Sequence, residues 1–161
     1  MLPYLLSWGI FASAGLGNAR RIAGSAITAI TVFLTLLIGL RLEVGGDWFN
    51  YFAYIDRSFG LPFAAVFLET EPGYGLLNWF GANWGGSVFF VNTICGLVFS
   101  IGLLLFCRAQ PRPWLALCLA FPYLVTVVAM GYSRQGVAIG LEMLALLALQ
   151  NNKLLRFLGW I

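Results

Sequence analysis

Residues 87–107, SVFFVNTICGLVFSIGLLLFC, run for 21 positions without one charged side chain. A helix that crosses a bilayer needs about 20 apolar residues, and this stretch supplies them alone. Working outward from it, Ile22 to Leu40 and Trp114 to Met130 are also uncharged. The second of these contains Pro122, which predicts a kink. Gly136 to Gln150 is shorter, carries Glu142, and extends back a few residues to begin at Ser133. Leu2 to Leu16 is a weaker candidate. Its Ala12-Ser13-Ala14 faintly resembles a signal-peptidase site, but no basic residue precedes it and Arg20-Arg21 follow it. That charge order predicts an uncleaved helix with its N-terminus outside.

The expected fold is therefore an all-α integral membrane protein, a polytopic helix bundle in a single transmembrane domain over 1–161. It has about five transmembrane helices, over about 2–16, 22–40, 87–107, 114–130 and 133–150. A partial sixth opens at Leu154, and an outward segment with an interfacial helical stretch covers 41–86.

Composition agrees. Of 161 residues, 61% are hydrophobic and 9% charged, with a mean hydropathy of +0.90. A soluble domain has roughly 25% charged residues, so an ordinary globular enzyme, a disordered tail and a nucleic-acid binder are excluded. There is no histidine, which removes His-based nucleophile activation and His-ligated metal from the chemistries on offer. Cys95, Cys107 and Cys118 sit in apolar runs without C-x-x-C spacing and read as small buried hydrophobes. No metal and no cofactor is expected.

The charges sort by side. Segments after the first, third and fifth helices hold Arg20, Arg21, Arg108, Arg112, Lys153 and Arg156, with no acid. The alternate segments hold Arg41, Arg57 and Arg134 with Glu43, Asp47, Asp56, Glu69 and Glu71. Under the positive-inside rule the first set is cytoplasmic and the second faces outward.

The outward segment is long, and loops of such length are usually functional or disordered. This one is too aromatic for disorder. From Gly45-Gly46-Asp47, the residues Asp47, Asn50, Tyr51 and Tyr54 fall on one helical face, as in an amphipathic interfacial helix. Leu61 to Leu68 is too short to span and reads as re-entrant or interfacial. Glu69 to Tyr74 reads as a turn, and Gly75 to Gly86 as an interfacial lead-in to the third span.

Polar groups at membrane depth mark function, because an ionisable side chain costs about 2.5–3.5 kcal/mol at a helix centre. Glu142 and Gln135 share a face of the last full helix, with Arg134 at its outer mouth. They form a polar seam facing an internal cavity, or else Arg134 caps the helix and Glu142 makes one internal hydrogen bond. Arg41 closes the second helix on the same outer side. Alone it reads as an interfacial anchor; with Arg134 it could converge on one anion, since the guanidinium fork matches phosphate oxygens. The obvious outward anion is the pyrophosphate of a polyprenyl carrier. Asp47, Glu69 and Glu71 could serve as a general base for an acceptor hydroxyl, hold sugar hydroxyls or pair with Arg57. Trp48, Tyr51, Tyr54 and Tyr74 could stack on sugar faces, or are simply interfacial aromatics. Gly136-x-x-x-Gly140 is a spacing for close helix packing.

Three short elements, in order, carry a resemblance. Arg41-x-x-x-Gly45-Gly46-Asp47-Trp48-x-x-Tyr51, Glu71-Pro72-Gly73-Tyr74-x-Leu76-Leu77 and Ser133-Arg134-Gln135-Gly136-Val137-Ala138 resemble stretches of the EpsG-like polysaccharide polymerases, relatives of the Wzy-type O-antigen polymerases. The resemblance implies a multi-pass protein of the bacterial inner membrane in capsule, exopolysaccharide or O-antigen synthesis. Such a glycosyltransferase joins undecaprenyl-pyrophosphate-linked repeat units on the outer leaflet. Arg41 and Arg134 would be the catalytic pyrophosphate-binding positions. Asp47, Tyr51, Glu71 and Tyr74, with Gln135 and Glu142 of the seam, would bind substrate. Its partners would be the lipid-linked oligosaccharide, the bilayer and other polysaccharide-assembly membrane proteins, with no nucleic acid. Members of the family carry more helices, so the resemblance implies an N-terminal half or a fragment, and an enzyme only if complete. The alternatives are half of a transporter or flippase, on the strength of the polar seam and the broken fourth span, or a non-catalytic membrane protein that binds a partner through Gly136 and Gly140.

Overall fold

The computed structural model describes residues 2–17, 21–66 and 71–160. Among the described residues there are helices and loops and no strand. The helices are α1 (Leu2–Leu16), α2 (Gly24–Gly39), α3 (Trp48–Ser58), α4 (Pro72–Asn83), α5 (Ser87–Arg108), α6 (Pro113–Ala120), α7 (Ser133–Gln150) and α8 (Leu154–Trp160). A 3₁₀ turn, Phe63–Ala65, lies between α3 and α4. Arg20, Phe67, Leu68, Glu69 and Thr70, on which parts of the sequence reading fell, lie outside the described residues.

α5 is the axis of the bundle. Among the described residues it is the one helix long and apolar enough to cross a membrane; α2 and the stretch Pro113–Ala129 are apolar but shorter. At ~1.5 Å per residue, its 22 residues extend about 33 Å, the thickness of a hydrocarbon core. α7 has comparable length but carries Arg134 and Glu142.

Small residues set how closely the neighbours approach. Gly96 of α5 lies against Thr35 and Ile38 of α2, and Gly39 of α2 lies against Thr93. Further along α5, Gly102 meets the backbone of Gly140 on α7, and a Cβ on Gly140 would stand 2.8 Å from the Phe99 Cα. Backbones this close gain dispersion contacts that do not depend on water, the kind of association available within lipid. Gly136 faces Ala129 instead, so the two glycines of the G-x-x-x-G spacing serve different neighbours. The contacts make α2 antiparallel and α7 parallel to α5. Leu34, Ile38, Phe99, Leu103, Leu104, Leu117, Phe121 and Val125 fill the core between them.

The expected kink at Pro122 takes another form. α6 passes directly into a π-helical stretch, Phe121–Ala129. Proline has no N–H to give to the carbonyl four residues back, and its ring crowds that carbonyl. The orphaned group is the Cys118 carbonyl, and it accepts a hydrogen bond from Trp8 Nε1 at 3.1 Å. α1 is thereby tied to the point where the helix changes register. At its other end, Gly15 packs on Trp114 and Leu115.

α3 and α4, which lie between α2 and α5 in the chain, fold over one end of this bundle. α3 buries Trp48 and Tyr51 beside Val88. α3 and α4 are tied at their C-terminal ends: Asn83 donates to the Ser58 and Trp79 carbonyls and accepts from Gly60 N. Trp79 Nε1 donates to the Leu61 carbonyl at 2.8 Å. Gly45, at φ 106°, lies on Met130 and Gly131 so closely that a Cβ would be 2.6 Å from the Met130 carbonyl. The α2–α3 loop is thus seated on the break between the π stretch and α7. Arg41, Asp47, Glu71 and Arg134 lie at this end; Arg108, Arg112 and Lys153 lie at the other, so the charge sorting of the sequence is also a sorting between bundle ends.

Candidate functional site

Two helix ends meet between Ala129 and Ser133. A helix terminus leaves carbonyls or N–H groups without partners, and here both kinds are buried. Arg41 donates from Nη1 to the Ala129 carbonyl at 2.7 Å and from Nη2 to Ser133 Oγ at 2.8 Å. Ser133 N donates to the Tyr51 hydroxyl oxygen at 2.8 Å, and Ser133 Oγ donates to Asn92 Oδ1 at 2.6 Å. The Arg41 Nη2 to Asn92 Oδ1 contact is longer, 3.4 Å. Arg41 is 4% exposed and lies 5.8 Å from the Tyr51 ring centroid. No carboxylate pairs with it among the described residues. Burial lowers its pKa, with Tyr51 opposing that shift; a guanidinium still keeps its charge. Arg41 Nε and Asn92 Nδ2 are buried and make no hydrogen bond among the described residues.

Directly beyond this buried knot the chain surfaces. Arg134, the next residue after Ser133, is 42% exposed. Its guanidinium carbon lies 5.5 Å from the Tyr54 ring and 5.7 Å from the Tyr74 ring, and Nη1 is 4.0 Å from Glu71 Oε1. The two tyrosines meet edge to face at 6.1 Å. Burial pushes the phenol of Tyr51 up and that of Tyr74 well up, so both are neutral at ordinary pH. Asp47, Tyr51, Glu71, Tyr132, Arg134 and Gln135 line an open, mostly polar cleft of about 340 Å³. It offers one accessible guanidinium, two carboxylates and an amide, a set suited to an anion next to a polyhydroxylated group.

The cleft brings together Asp47, Tyr51, Glu71, Arg134 and Gln135 from the sequence reading, with Tyr74 packed behind Arg134. Other expectations are met differently. Arg41 and Arg134 lie at the same bundle end but do not point at one ligand position: both Arg41 amino groups are spent inside. Glu142 does not join an inward seam with Gln135. It is exposed, and the side chain turned inward beside it is Met143. Trp48, 2% exposed and packed on Phe52 and Phe89, has no free face for a sugar. Asn50 points back to Asp47, donating to Oδ1 at 3.2 Å.

Asn92 and Ser133, both in the buried knot, have no site role in the sequence reading. For Asn92 the signal was available: a lone amide within an otherwise apolar span is costly unless it is hydrogen-bonded. Ser133 had no such signal, since a serine before a helix reads as an ordinary cap. Among the described residues, no group of acids and cysteines is placed to hold a metal ion.

The EpsG family matches the chain over residues 26–161. This protein belongs to the EpsG family. The match covers every element of the cleft, and of the helices only α1 lies wholly before it. Membership implies a part in polysaccharide biosynthesis. No curated protein and no solved structure matches the chain.

Proposed function

We propose that this EpsG-family chain carries the outer-leaflet donor site of a lipid-linked glycan polymerase, a glycosyltransferase that joins undecaprenyl-pyrophosphate-linked repeat units. The bundle stands in the inner membrane with about five spans, and the Arg134 end faces outward, as the charge sorting supports. The observation that carries the reading is Arg134. Its guanidinium is held by two tyrosine rings and Glu71 at the lip of a polar cleft, free to take a phosphate oxygen.

In the reaction, a hydroxyl of one repeat unit attacks the anomeric carbon of another. A C–O bond forms there, the C–O bond to the diphosphate breaks, and the electron pair leaves on the phosphate oxygen. Arg134 neutralises that developing charge, which is where a fixed cation lowers the barrier most. The hydroxyl proton passes to a carboxylate, and Asp47 and Glu71 are the two in the cleft. Arg41 acts from below. It holds Ser133, and so the start of α7, in place and adds a positive field under the site.

The test is Arg134→Ala and Arg134→Lys in the native producing cell. Both should abolish long-chain polymer while single repeat units accumulate on the carrier, at unchanged protein level. Normal polymer length in both variants would falsify the role of Arg134.

A further inference from the structure

The buried knot beneath the cleft is short of acceptors. Arg41 Nε and Asn92 Nδ2 are both buried and make no hydrogen bond among the described residues; their residues are 4% and 0% exposed. The fixed fork of a guanidinium puts Nε–H on the same edge as Nη2, and Nη2 faces Asn92 Oδ1 at 3.4 Å. Turning the amide over gives no relief, since Nδ2 would then meet Nη2, donor against donor. The oxygens nearby are engaged. The Ala129 carbonyl and Ser133 Oγ accept from Arg41, Asn92 Oδ1 accepts from Ser133 Oγ, and the Tyr51 hydroxyl accepts from Ser133 N. Charge is unbalanced as well. No carboxylate pairs with Arg41 among the described residues, and α7, 18 residues long, brings the positive end of its dipole to Ser133. A buried charge without a counter-charge is costly.

We infer that one monovalent inorganic anion, a halide such as chloride, binds inside this knot between Arg41 Nε and Asn92 Nδ2. A halide accepts from both donors, balances the guanidinium and brings no proton of its own. A water would bring two further donors to a place whose acceptors are already engaged. A phosphate has several oxygens to satisfy, more than two buried N–H groups can serve. Tyr51 belongs both to the knot and to the cleft lining, which gives the ion its route in. While bound, the ion damps the field that Arg41 sends into the cleft. The inference does not depend on what the cleft takes.

The experiment melts the full chain in detergent while sodium chloride or sodium bromide replaces sodium gluconate at constant ionic strength. A bound ion stabilises with the logarithm of its concentration, so above half-filling the midpoint should climb by about 3–5 °C per tenfold step in halide. Asn92→Asp supplies a fixed counter-charge and removes the orphan amide. It should melt in gluconate at or above the wild-type chain and lose the halide dependence. Should that variant not fold, chlorine NMR gives the second reading: the wild-type chain should broaden the chloride line, and bromide but not gluconate should restore it. Equal midpoints in all three salts, a halide dependence that Asn92→Asp keeps, or a chloride line that stays narrow would each overturn the inference.

Discussion

Arg41 and Ser133, 92 positions apart in sequence, are joined by a 2.8 Å hydrogen bond from Nη2 to Oγ inside the bundle. The bond ties the end of α2 to the start of α7, one residue before Arg134. The two arginines that sequence alone set side by side as equals therefore have different work: one holds the scaffold and the other faces the cleft.

That division separates their mutants. Arg41→Ala leaves the buried Ala129 carbonyl without its partner, at about 1–3 kcal/mol, and takes from Ser133 Oγ the bond it accepts, though Ser133 still donates to Asn92; with the packing of the guanidinium lost as well, folded protein in the membrane should fall. Arg134→Ala removes an exposed side chain and should leave the folded amount unchanged while polymer is lost. Quantitative immunoblotting of membranes, read beside polymer length, checks the split; equal protein levels in both mutants would contradict it.

Two tyrosine hydroxyls should behave oppositely. Tyr51→Phe strips Ser133 N of its acceptor and should destabilise the chain by about 1–3 kcal/mol. Tyr74 Oη is buried and makes no hydrogen bond among the described residues, so Tyr74→Phe keeps the ring under Arg134 at little cost, within about 0.5 kcal/mol. Thermal unfolding in detergent measures both.

Alkaline pH should act through the same pair. Burial raises both phenol pKa values, so the folded chain keeps protons that an unfolded chain releases near pH ~10. Their contribution to stability is full below about pH 10 and is lost as pH rises through the folded values. The melting midpoint should hold between about pH 8 and about pH 9.5 and drop above that, and Tyr74→Phe should make the drop shallower.

The helix crossing gives a fourth expectation. Gly140→Ala pushes a Cβ to 2.8 Å from the Phe99 Cα, where backbone must move, and should cost about 1–3 kcal/mol. Gly9→Ala meets nothing within 4 Å and should be neutral or gain about 0.5–1 kcal/mol from helix propensity. Comparing the two melting temperatures isolates the crossing from any general effect of replacing glycine.

Local pattern was enough to read most of the helices; Pro72 to Tyr74, expected as part of a turn, instead open α4, since a proline suits the first helical position. Uncharged runs, their lengths and the prolines carry that information along the chain, and the observed bounds of α1, α5 and α7 lie within a residue of those read from sequence. Membership of the cleft was also largely visible, because Asp47, Glu71 and Arg134 are polar groups in short motifs on one side of the membrane pattern. The directions of the side chains were not. Whether Arg41 points into the bundle or the cleft depends on where the Ala129 carbonyl and Ser133 come to rest, and those positions follow from the register change at Pro122.

Composition and hydrophobic pattern by themselves determined that this chain is helical, apolar and charge-sorted between its two ends, since those properties are sums over neighbouring residues. Only the tertiary structure decided that Arg41 is buried while Arg134 is open, and that Glu142 is exposed while Met143 beside it is buried. Each of those depends on which helix faces which, and the facing is set by contacts such as Gly102 with Gly140 and Trp8 with Cys118, between residues too far apart in sequence for any local period to report.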